Sequence, residues 1–418
     1  MHPAASFRPV PRTGVIYVMT EAAKRGFSYG NPDWANLGQG APEVEAIPGC
    51  IPRVEQIALE TAVHEYSPVE GRLELRQAVA DLYNARYRRG LSSQYSAENV
   101  AISPGGRSGL TRVAAALGNV HLGHLLPDYT AYEELLDIFR AFVPIPIVLD
   151  EQNGFHLSPE ALRKAVVGGG LGAILLSNPC NPTGRLIQGE EMHQWVHLAR
   201  ELSCTLILDE FYSHYSYTPT PEGLSPARSA AAFVEDVDRD PVLLVDGMSK
   251  NWRYPGWRLS WTVGPRSIIE KIGSAGSFLD GGASHPIQQA SLDLISVERA
   301  DQEARAIQAT FGAKRSLVIE RLQAMGMELA VAPEGAFYTF PCLAQLPEPL
   351  QDGMAFFQAA LENKVIVVPG VFFDVNPGKR RSHLPSRLRN HVRISFGPHI
   401  DTVALGLSRL EELISEHR

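Results

Sequence analysis

The sequence predicts an α/β protein with a large, mostly parallel sheet and a second, smaller α+β unit. Three observations carry this. Short apolar runs of strand length alternate with longer helical patterns through the middle of the chain. From Glu328 onward the texture changes to short strand candidates closed by a helix. The chain has 418 residues, 44% hydrophobic and 20% charged, an ordinary globular composition with ample length for a sizeable core.

In chain order, residues 1–50 are irregular and rich in Gly and Pro, and we place them with the smaller unit. The strand-like runs are Val100–Ser103, His121–Leu126, Val143–Val148, Ala173–Leu176, Thr205–Leu208, Val242–Val245 and Leu259–Val263. Helical patterns occupy Gly109–Leu117, Tyr132–Phe139, Pro159–Val167 and Gly189–Leu202. A long helical pattern spans Ser291–Met325. Beyond it come Phe337–Phe340, Val365–Val368 and Val392–Phe396 as short strands, then a final helix from about Asp401. The expected division is 1–50 packing with the small unit, 51–295 as the large domain and 296–418 as the small one. Parallel sheets bind ligands beyond the carboxyl ends of their strands. The polar residues after each run are therefore the candidates for function.

Several function classes are disfavoured. The net charge is −8, which argues against a broad basic nucleic-acid surface. No apolar run reaches the ~18 residues of a membrane helix. Met1–Arg12 lacks the long apolar stretch of a secretory signal. Cys50, Cys180, Cys204 and Cys342 show no paired spacing, so neither a disulfide framework nor a metal site is expected from them. The expectation is a cytoplasmic enzyme without nucleic-acid or membrane partners.

Five stretches carry chemistry. Ser103-Pro104-Gly105-Gly106-Arg107-Ser108 joins a strand to a helix start, where backbone N–H groups and the helix dipole favour an anion. Taken alone, such a glycine pair also marks an ordinary turn. Tyr129 and its neighbours follow another run; its ring suits stacking on a planar ligand or simple packing. Asn178-Pro-Cys-Asn181-Pro-Thr-Gly184 makes a rigid loop that fixes side-chain amides, Asn181 above all. Asp209-Glu210-Phe211-Tyr212 ends a strand in a carboxylate, which needs donors or a positive partner. Ser249-Lys250 follows an apolar strand among aromatic residues, a setting that lowers an amine pKa and permits Schiff-base chemistry. Arg258, eight residues on, can clamp a phosphate. An amine, an anion cradle, a stacking ring, an amide, a carboxylate and a phenol after successive strands together suit pyridoxal phosphate.

On these motifs, and on Arg393-Ile-Ser-Phe-Gly397, the chain resembles the class I/II aminotransferases of the fold-type-I pyridoxal-phosphate superfamily, from about Asn36 to the last helix. The resemblance implies a seven-stranded large sheet and transfer of an amino group from an L-α-amino acid to a 2-oxo acid. It makes Lys250 the Schiff-base lysine and proton carrier, and Asp209 the partner of the pyridine nitrogen. It gives Tyr212 and Asn181 to the phenolic oxygen and Tyr129 to the ring face. Gly105, Gly106, Arg107, Ser108, Ser249 and Arg258 surround the phosphate. Tyr66 corresponds to a tyrosine reaching the neighbouring subunit's phosphate, which implies a homodimer with shared sites. Arg393 holds the substrate α-carboxylate, for which a planar guanidinium is suited. Gly40 belongs to the segment that closes over the substrate.

The chain departs from the family pattern at Gly247, where many relatives carry a hydroxyl, and at Arg107, which is larger than usual. Other reactions of the same cofactor on amino acids (lyase, decarboxylase, O2-dependent oxidase) remain alternatives, because the fold does not choose among them. An effector-sensing domain of a transcription regulator is disfavoured, since 35 residues before Asn36 are too few for a DNA-binding module. Gly14–Val18 offers apolar surface and hints at a neutral or aromatic substrate side chain. Arg253 and Lys379–Arg381 are the cations to inspect for an acidic one, with surface exposure as their other reading.

Overall fold

The computed structural model describes residues 14–219 and 225–418. The expectation about Met1–Arg12 lies outside the described residues. Seven strands form the large sheet: β1 (Val100–Ser103), β2 (His121–Leu126), β3 (Val143–Val148), β4 (Leu171–Ser177), β5 (Thr205–Asp209), β6 (Val242–Gly247) and β7 (Ser260–Val263). Their order is β1-β7-β6-β5-β4-β2-β3. All neighbours run parallel except β7, which is antiparallel to both β1 and β6.

Successive side chains of these strands enter opposite cores. Ala173, Leu175 and Ile207 pack on one face, and Ile174, Leu176, Leu206 and Leu208 on the other. Burial on both faces explains why the inner strands read as continuous apolar runs rather than alternating ones; the edge strand β3 leaves Val143 and Val148 exposed. Helices Gly106–Ala116, Tyr132–Ile138, Pro159–Gly169 and Gly189–Leu202 connect the strands close to where the periodicity predicts.

The register decides where the functional side chains meet. Ser177 at the end of β4 lies opposite Asp209 at the end of β5, and Asp209 lies opposite Val245 of β6. Gly247 and Ser103 both face Ser260 at the start of β7. Because β7 runs the other way, the residues just before it arrive at the same edge as the carboxyl ends of its neighbours. The loops after β1, β2, β4, β5 and β6 therefore converge with Arg258 on one rim.

In the C-terminal part, β8 (Tyr338–Thr339), β9 (Val368–Pro369) and β10 (Val392–Ser395) form a small antiparallel sheet in the order β9-β10-β8. Separately, Ala35–Asn36 pairs in parallel with Val365–Ile366. The single run expected over Val365–Val368 is thus shared between two sheets. The long helix starts at Val297 and ends at Met325, later than the Ser291 of the sequence reading. Ser296 is extended and its side chain accepts the Arg299 N–H, capping a new helix and separating it from His285–Ser291. The final helix is Ile400–Glu416. Among the described residues, no helix is long and apolar enough to cross a membrane.

Candidate active site

The converging loops enclose a cavity of about 290 Å3. Lys250, Asp209, Tyr212, Asn181, Tyr129, Ser249, Arg258, Arg107 and Gly106 all line it. These residues span Gly106 to Arg258 in sequence, and the strand register alone brings them together.

The anion cradle is built first. Gly105 takes φ 91°, a conformation that disfavours any side chain, and hands the chain to the helix at Gly106. A Cβ at Gly105 would collide with the Arg258 guanidinium, so its absence is what lets Arg258 lie across the turn. Arg258 Nη1 is 3.0 Å from the Pro255 carbonyl and 3.4 Å from Ser249 Oγ. Arg107 donates to the Tyr129 hydroxyl at 3.0 and 3.3 Å. Among the described residues neither guanidinium pairs with a carboxylate. Burial, then the nearby Arg107, lowers the Arg258 pKa. Two unpaired cations beside a helix N-terminus make a site for a dianion. Ser108, inside the first helical turn, donates its hydroxyl back to the Pro104 carbonyl at 3.4 Å.

Gly247 has a local explanation. A Cβ there would lie 2.5 Å from the Leu259 carbonyl oxygen and 2.6 Å from Ser260 Cα. The close approach of β6 to β7 leaves no room for a side chain at this position. Ser103 and Ser260 instead share a hydrogen bond at 2.9 Å beneath the cradle.

Lys250 reaches up from the short helix after β6, and its Nζ donates to the Gly40 carbonyl. Burial lowers its pKa to about 7, helped by Arg393, Arg258 and Arg107 and opposed by Asp209. Much of the amine is thus uncharged and nucleophilic near neutral pH. Asp209 lies at the end of β5 and is 6% exposed. Its Oδ2 accepts from the Tyr132 hydroxyl at 2.9 Å, and burial raises its pKa to about 6. A buried carboxylate with one strong donor still has lone pairs to offer a cationic N–H.

Arg393 sits on β10, 1% exposed. Nη1 donates to Asn181 Oδ1 at 2.9 Å, and Nη2 to the Gly38 carbonyl at 2.5 Å. Its guanidinium lies 4.3 Å above the Tyr338 ring and 5.2 Å from that of Phe373. Its Nε is buried without a hydrogen-bond partner. A buried guanidinium held only by neutral groups retains a full charge for an incoming carboxylate.

Sequence reasoning missed three supports. Tyr132 donates to Asp209; its spacing of three from Tyr129 at a helix start was the available signal. Tyr338 hydrogen-bonds the Tyr212 hydroxyl at 2.8 Å from a two-residue strand that has no local signature. Asp128 accepts Ser177 Oγ at 2.5 Å and the Tyr129 N–H at 2.7 Å, while Ser177 Oγ takes the Asn181 N–H at 3.0 Å. Burial raises the Asp128 pKa to about 8 against the three hydrogen bonds it accepts, and it anchors the asparagine loop through Ser177.

The candidates for an acidic substrate side chain are otherwise engaged. Arg253 is neither exposed nor free: it is fully buried, 2.8 Å from Glu303, and also holds the Glu45 carbonyl at 2.5 Å. Lys379 pairs with Glu133, and Arg381 with Asp374 at 2.8 Å. Gly14–Val18 belongs to the helix Gly14–Lys24, and its Tyr17 ring packs 5.5 Å from Phe372. Tyr66 is 98% exposed and does not reach the cavity of its own chain.

A family model described as aminotransferase class I and II matches residues 32–409. The chain belongs to this family. The aminotransferase is 26% identical over 390 residues to an aspartate aminotransferase of Streptomyces avermitilis, covering 91% of this chain and 89% of the relative. It is also 26% identical over 389 residues to aromatic-amino-acid aminotransferase 2 of Thermococcus litoralis, covering 92% of each. Its fold matches an aminotransferase from Mycobacterium tuberculosis with a TM-score of 0.79 at 23% identity, over the whole of both chains. The Thermus thermophilus aspartate aminotransferase with maleate gives 0.76 at 22% identity, over 97% of this chain and all of that one.

Members of the family use pyridoxal phosphate, and the cavity of this aminotransferase fits that group. The paired guanidiniums and glycine turn match its phosphate, Asp209 its ring nitrogen, and the half-buried Tyr129 its ring face. Lys250 stands between them with its amine. The enzyme is a pyridoxal-phosphate-dependent aminotransferase that moves an amino group from an amino acid to a 2-oxo acid.

Proposed function

We propose that this aminotransferase binds the donor's α-carboxylate through Arg393 and moves the α-proton with Lys250. The observation that carries this reading is the uncompensated Arg393 guanidinium, buried beside the lysine and within hydrogen-bond reach of Asn181. When bound, pyridoxal phosphate supplies the carbonyl that takes up the amino group and the ring that accepts the carbanion's electrons. The chain's own residues do the rest. Arg393 fixes one end of the substrate so that its Cα–H faces Lys250. Lys250, released from its bond to the Gly40 carbonyl, takes the proton from Cα and returns it at the cofactor carbon. Asp209, held by Tyr132, stabilises a proton on the ring nitrogen. Tyr212 and Asn181 donate to the phenolic oxygen, with Tyr338 orienting Tyr212. Arg258, Arg107, Ser249 and the Gly105–Gly106 turn, with Ser108 in its first helical turn, anchor the phosphate. Gly40 lies in the segment that covers the substrate.

The donor is an L-α-amino acid with a neutral or aromatic side chain. Tyr338 and Phe373 flank Arg393, and of the cations singled out for an acidic side chain, Arg253, Lys379 and Arg381 are spent in ion pairs while Arg380 donates to the Pro377 carbonyl. Mixing the holoenzyme with single L-amino acids, without any 2-oxo acid, tests this. Stoichiometric release of the matching 2-oxo acid is expected with neutral and aromatic donors; release from aspartate alone overturns the specificity. Release of an amine or an eliminated product instead would mean lyase or decarboxylase chemistry.

Arg393→Gln is expected to raise KM for the amino acid strongly, because a buried charge pair lost on truncation costs about 2–5 kcal/mol. Cofactor content should stay that of the parent. Unchanged KM would remove Arg393 from carboxylate binding.

We further propose a cytoplasmic homodimer in which Tyr66 completes the partner's phosphate site. Its support is the near-complete exposure of a large aromatic side chain, in a surface depression that it shares with the exposed Phe278. Mixed dimers of Tyr66→Ala and Lys250→Ala chains contain one site intact in both residues. They should regain activity that neither homodimer has, and stable mixed dimers without that gain would refute sharing. The division 1–50, 51–295 and 296–418 is supported by the pairing of Ala35–Asn36 with Val365–Ile366.

A further inference from the structure

Away from the cavity, Glu151, Cys342 and His391 bring a carboxylate oxygen, a thiol sulfur and an imidazole nitrogen within 4.8 Å of one another. None of them takes part in amino-group transfer. Cys342 and His391 face each other in an antiparallel bridge beside β10. Directly opposed residues place their side chains on one face. Glu151 comes from elsewhere: it opens the turn Glu151–Asn153 just beyond β3, the edge strand of the large sheet.

The three groups are held in place. The His391 ring stacks on Phe340 at 4.9 Å and 20°, and Phe155 stands edge-on to it at 6.1 Å. The ring is thereby fixed with Nε2 3.0 Å from Glu151 Oε1. His391 is 2% exposed, and its Nδ1 is buried without a hydrogen-bond partner. Asp150 caps the turn by accepting the Gln152 N–H at 2.9 Å. Burial raises the Cys342 thiol pKa and lowers that of His391, while Glu151 pulls the imidazole back up.

The donor set selects its ligand. One sulfur, one imidazole nitrogen and one carboxylate suit Zn2+ and its analogue Co2+, whereas Mg2+ and Ca2+ take oxygen ligands. A thiolate and a carboxylate together cancel a divalent charge, so the loaded site carries no net charge into the interior. Bond lengths of about 2.0–2.3 Å put ligand atoms in a tetrahedral zinc site roughly 3.5 Å apart. The three ligand atoms, within 4.8 Å of one another, must draw together by about an ångström to reach that spacing. The Glu151 side chain, 43% exposed, leaves a solvent side for water as fourth ligand.

We propose that Glu151, Cys342 and His391 form a binding site for a zinc-class divalent cation, which ties the strand carrying Arg393 to the edge of the large sheet. Binding forms a metal–sulfur bond and releases the thiol proton to solvent. Position 391 immediately precedes β10, so the clamp acts on the same strand that presents Arg393.

The test uses untagged, cofactor-loaded protein, freed of metal by chelation and titrated with Co2+. One equivalent should give the visible bands of a tetrahedral cobalt–thiolate site, displaced by Zn2+. Cys342→Ser should abolish those bands, and Glu151→Gln should weaken binding by at least the roughly 10–100-fold that a supporting partner is worth. Cys204→Ser, at a buried thiol elsewhere, should leave them intact. Amide exchange across Val392–Ser395 should slow when Zn2+ binds. The same bands in Cys342→Ser, or no binding by the parent protein, overturn the site. Bound cation with unchanged exchange overturns the clamp. Should Cys342→Ser fail to fold, Glu151→Gln at its half-exposed position decides: undiminished affinity there counts against the proposal.

Discussion

Lys250→Ala is expected to abolish amino-group transfer, with kcat falling by at least about 10^4-fold. The substitution removes the amine that attaches the cofactor and the base that moves the α-proton, and general acid–base catalysis alone is worth about 10^2–10^4. Borohydride reduction of the parent holoenzyme, followed by proteolysis and mass measurement, should place the cofactor on the peptide carrying Lys250. A label on another lysine, or retained turnover in the variant, would overturn the assignment. The amine also carries a pH signature. Burial, then Arg393, Arg258 and Arg107, bring its pKa down to about 7. The neutral amine is the nucleophile, so cofactor uptake by cofactor-free protein should slow below about pH 7 and level off above it. Asp209 pulls in the opposite direction by favouring the charged amine. In Asp209→Asn the midpoint should therefore move to lower pH, and stopped-flow uptake across pH measures both effects.

How much of this site is visible in a sequence depends on where each side chain gets its partner. Lys250, Asp209, Asn181 and Tyr129 each follow an apolar strand, so one rule about strand ends exposes them. Tyr132 and Tyr338 act through other side chains, 77 and 126 residues distant in sequence from Asp209 and Tyr212, and no local pattern announces that. Arg253 shows the converse. It lies in a stretch dense with aromatic and basic residues and reads as a surface cation or an acid-binding one. Its partners, Glu303 and the carbonyls of Glu43 and Glu45, exist only after the long helix packs against the N-terminal segment. Gly247 is similar: what leaves no room for a side chain there is the backbone of a neighbouring strand. The cation set at Glu151, Cys342 and His391 was invisible for the same reason, since cysteine spacing along the chain says nothing about an antiparallel bridge. Strand positions were legible because both sheet faces are buried. The split of Val365–Val368 between two sheets was not, because an apolar run does not say which neighbour each residue will find.

Asp209→Ala should leave cofactor binding partly intact while kcat falls by about 10^2–10^3-fold or more, the scale set by losing one preorganised electrostatic group. The phosphate cradle is built from Arg258, Arg107 and the Gly105–Gly106 turn, and none of these depends on the carboxylate. Anchoring and activation of the cofactor are thus separable in this site. The carboxylate's own state sharpens the prediction. Burial lifts Asp209 to about 6 against the Tyr132 hydroxyl, the Phe211 N–H and Lys250, all of which pull it down. A protonated ring nitrogen brought against it would lower the pKa again, since an opposite charge at contact favours the ionised form. On the proposed role, the charge of Asp209 would thus be stabilised by the cofactor it holds. Tyr132→Phe removes the opposing hydrogen bond, so the carboxylate should titrate at higher pH, and the acid limb of the kcat profile should shift upward with it. Asp209→Glu should recover part of the rate lost in Asp209→Ala, by keeping the charge at an altered distance. Near-parental kcat in Asp209→Ala, or an acid limb unmoved in Tyr132→Phe, would assign the ring nitrogen to another residue.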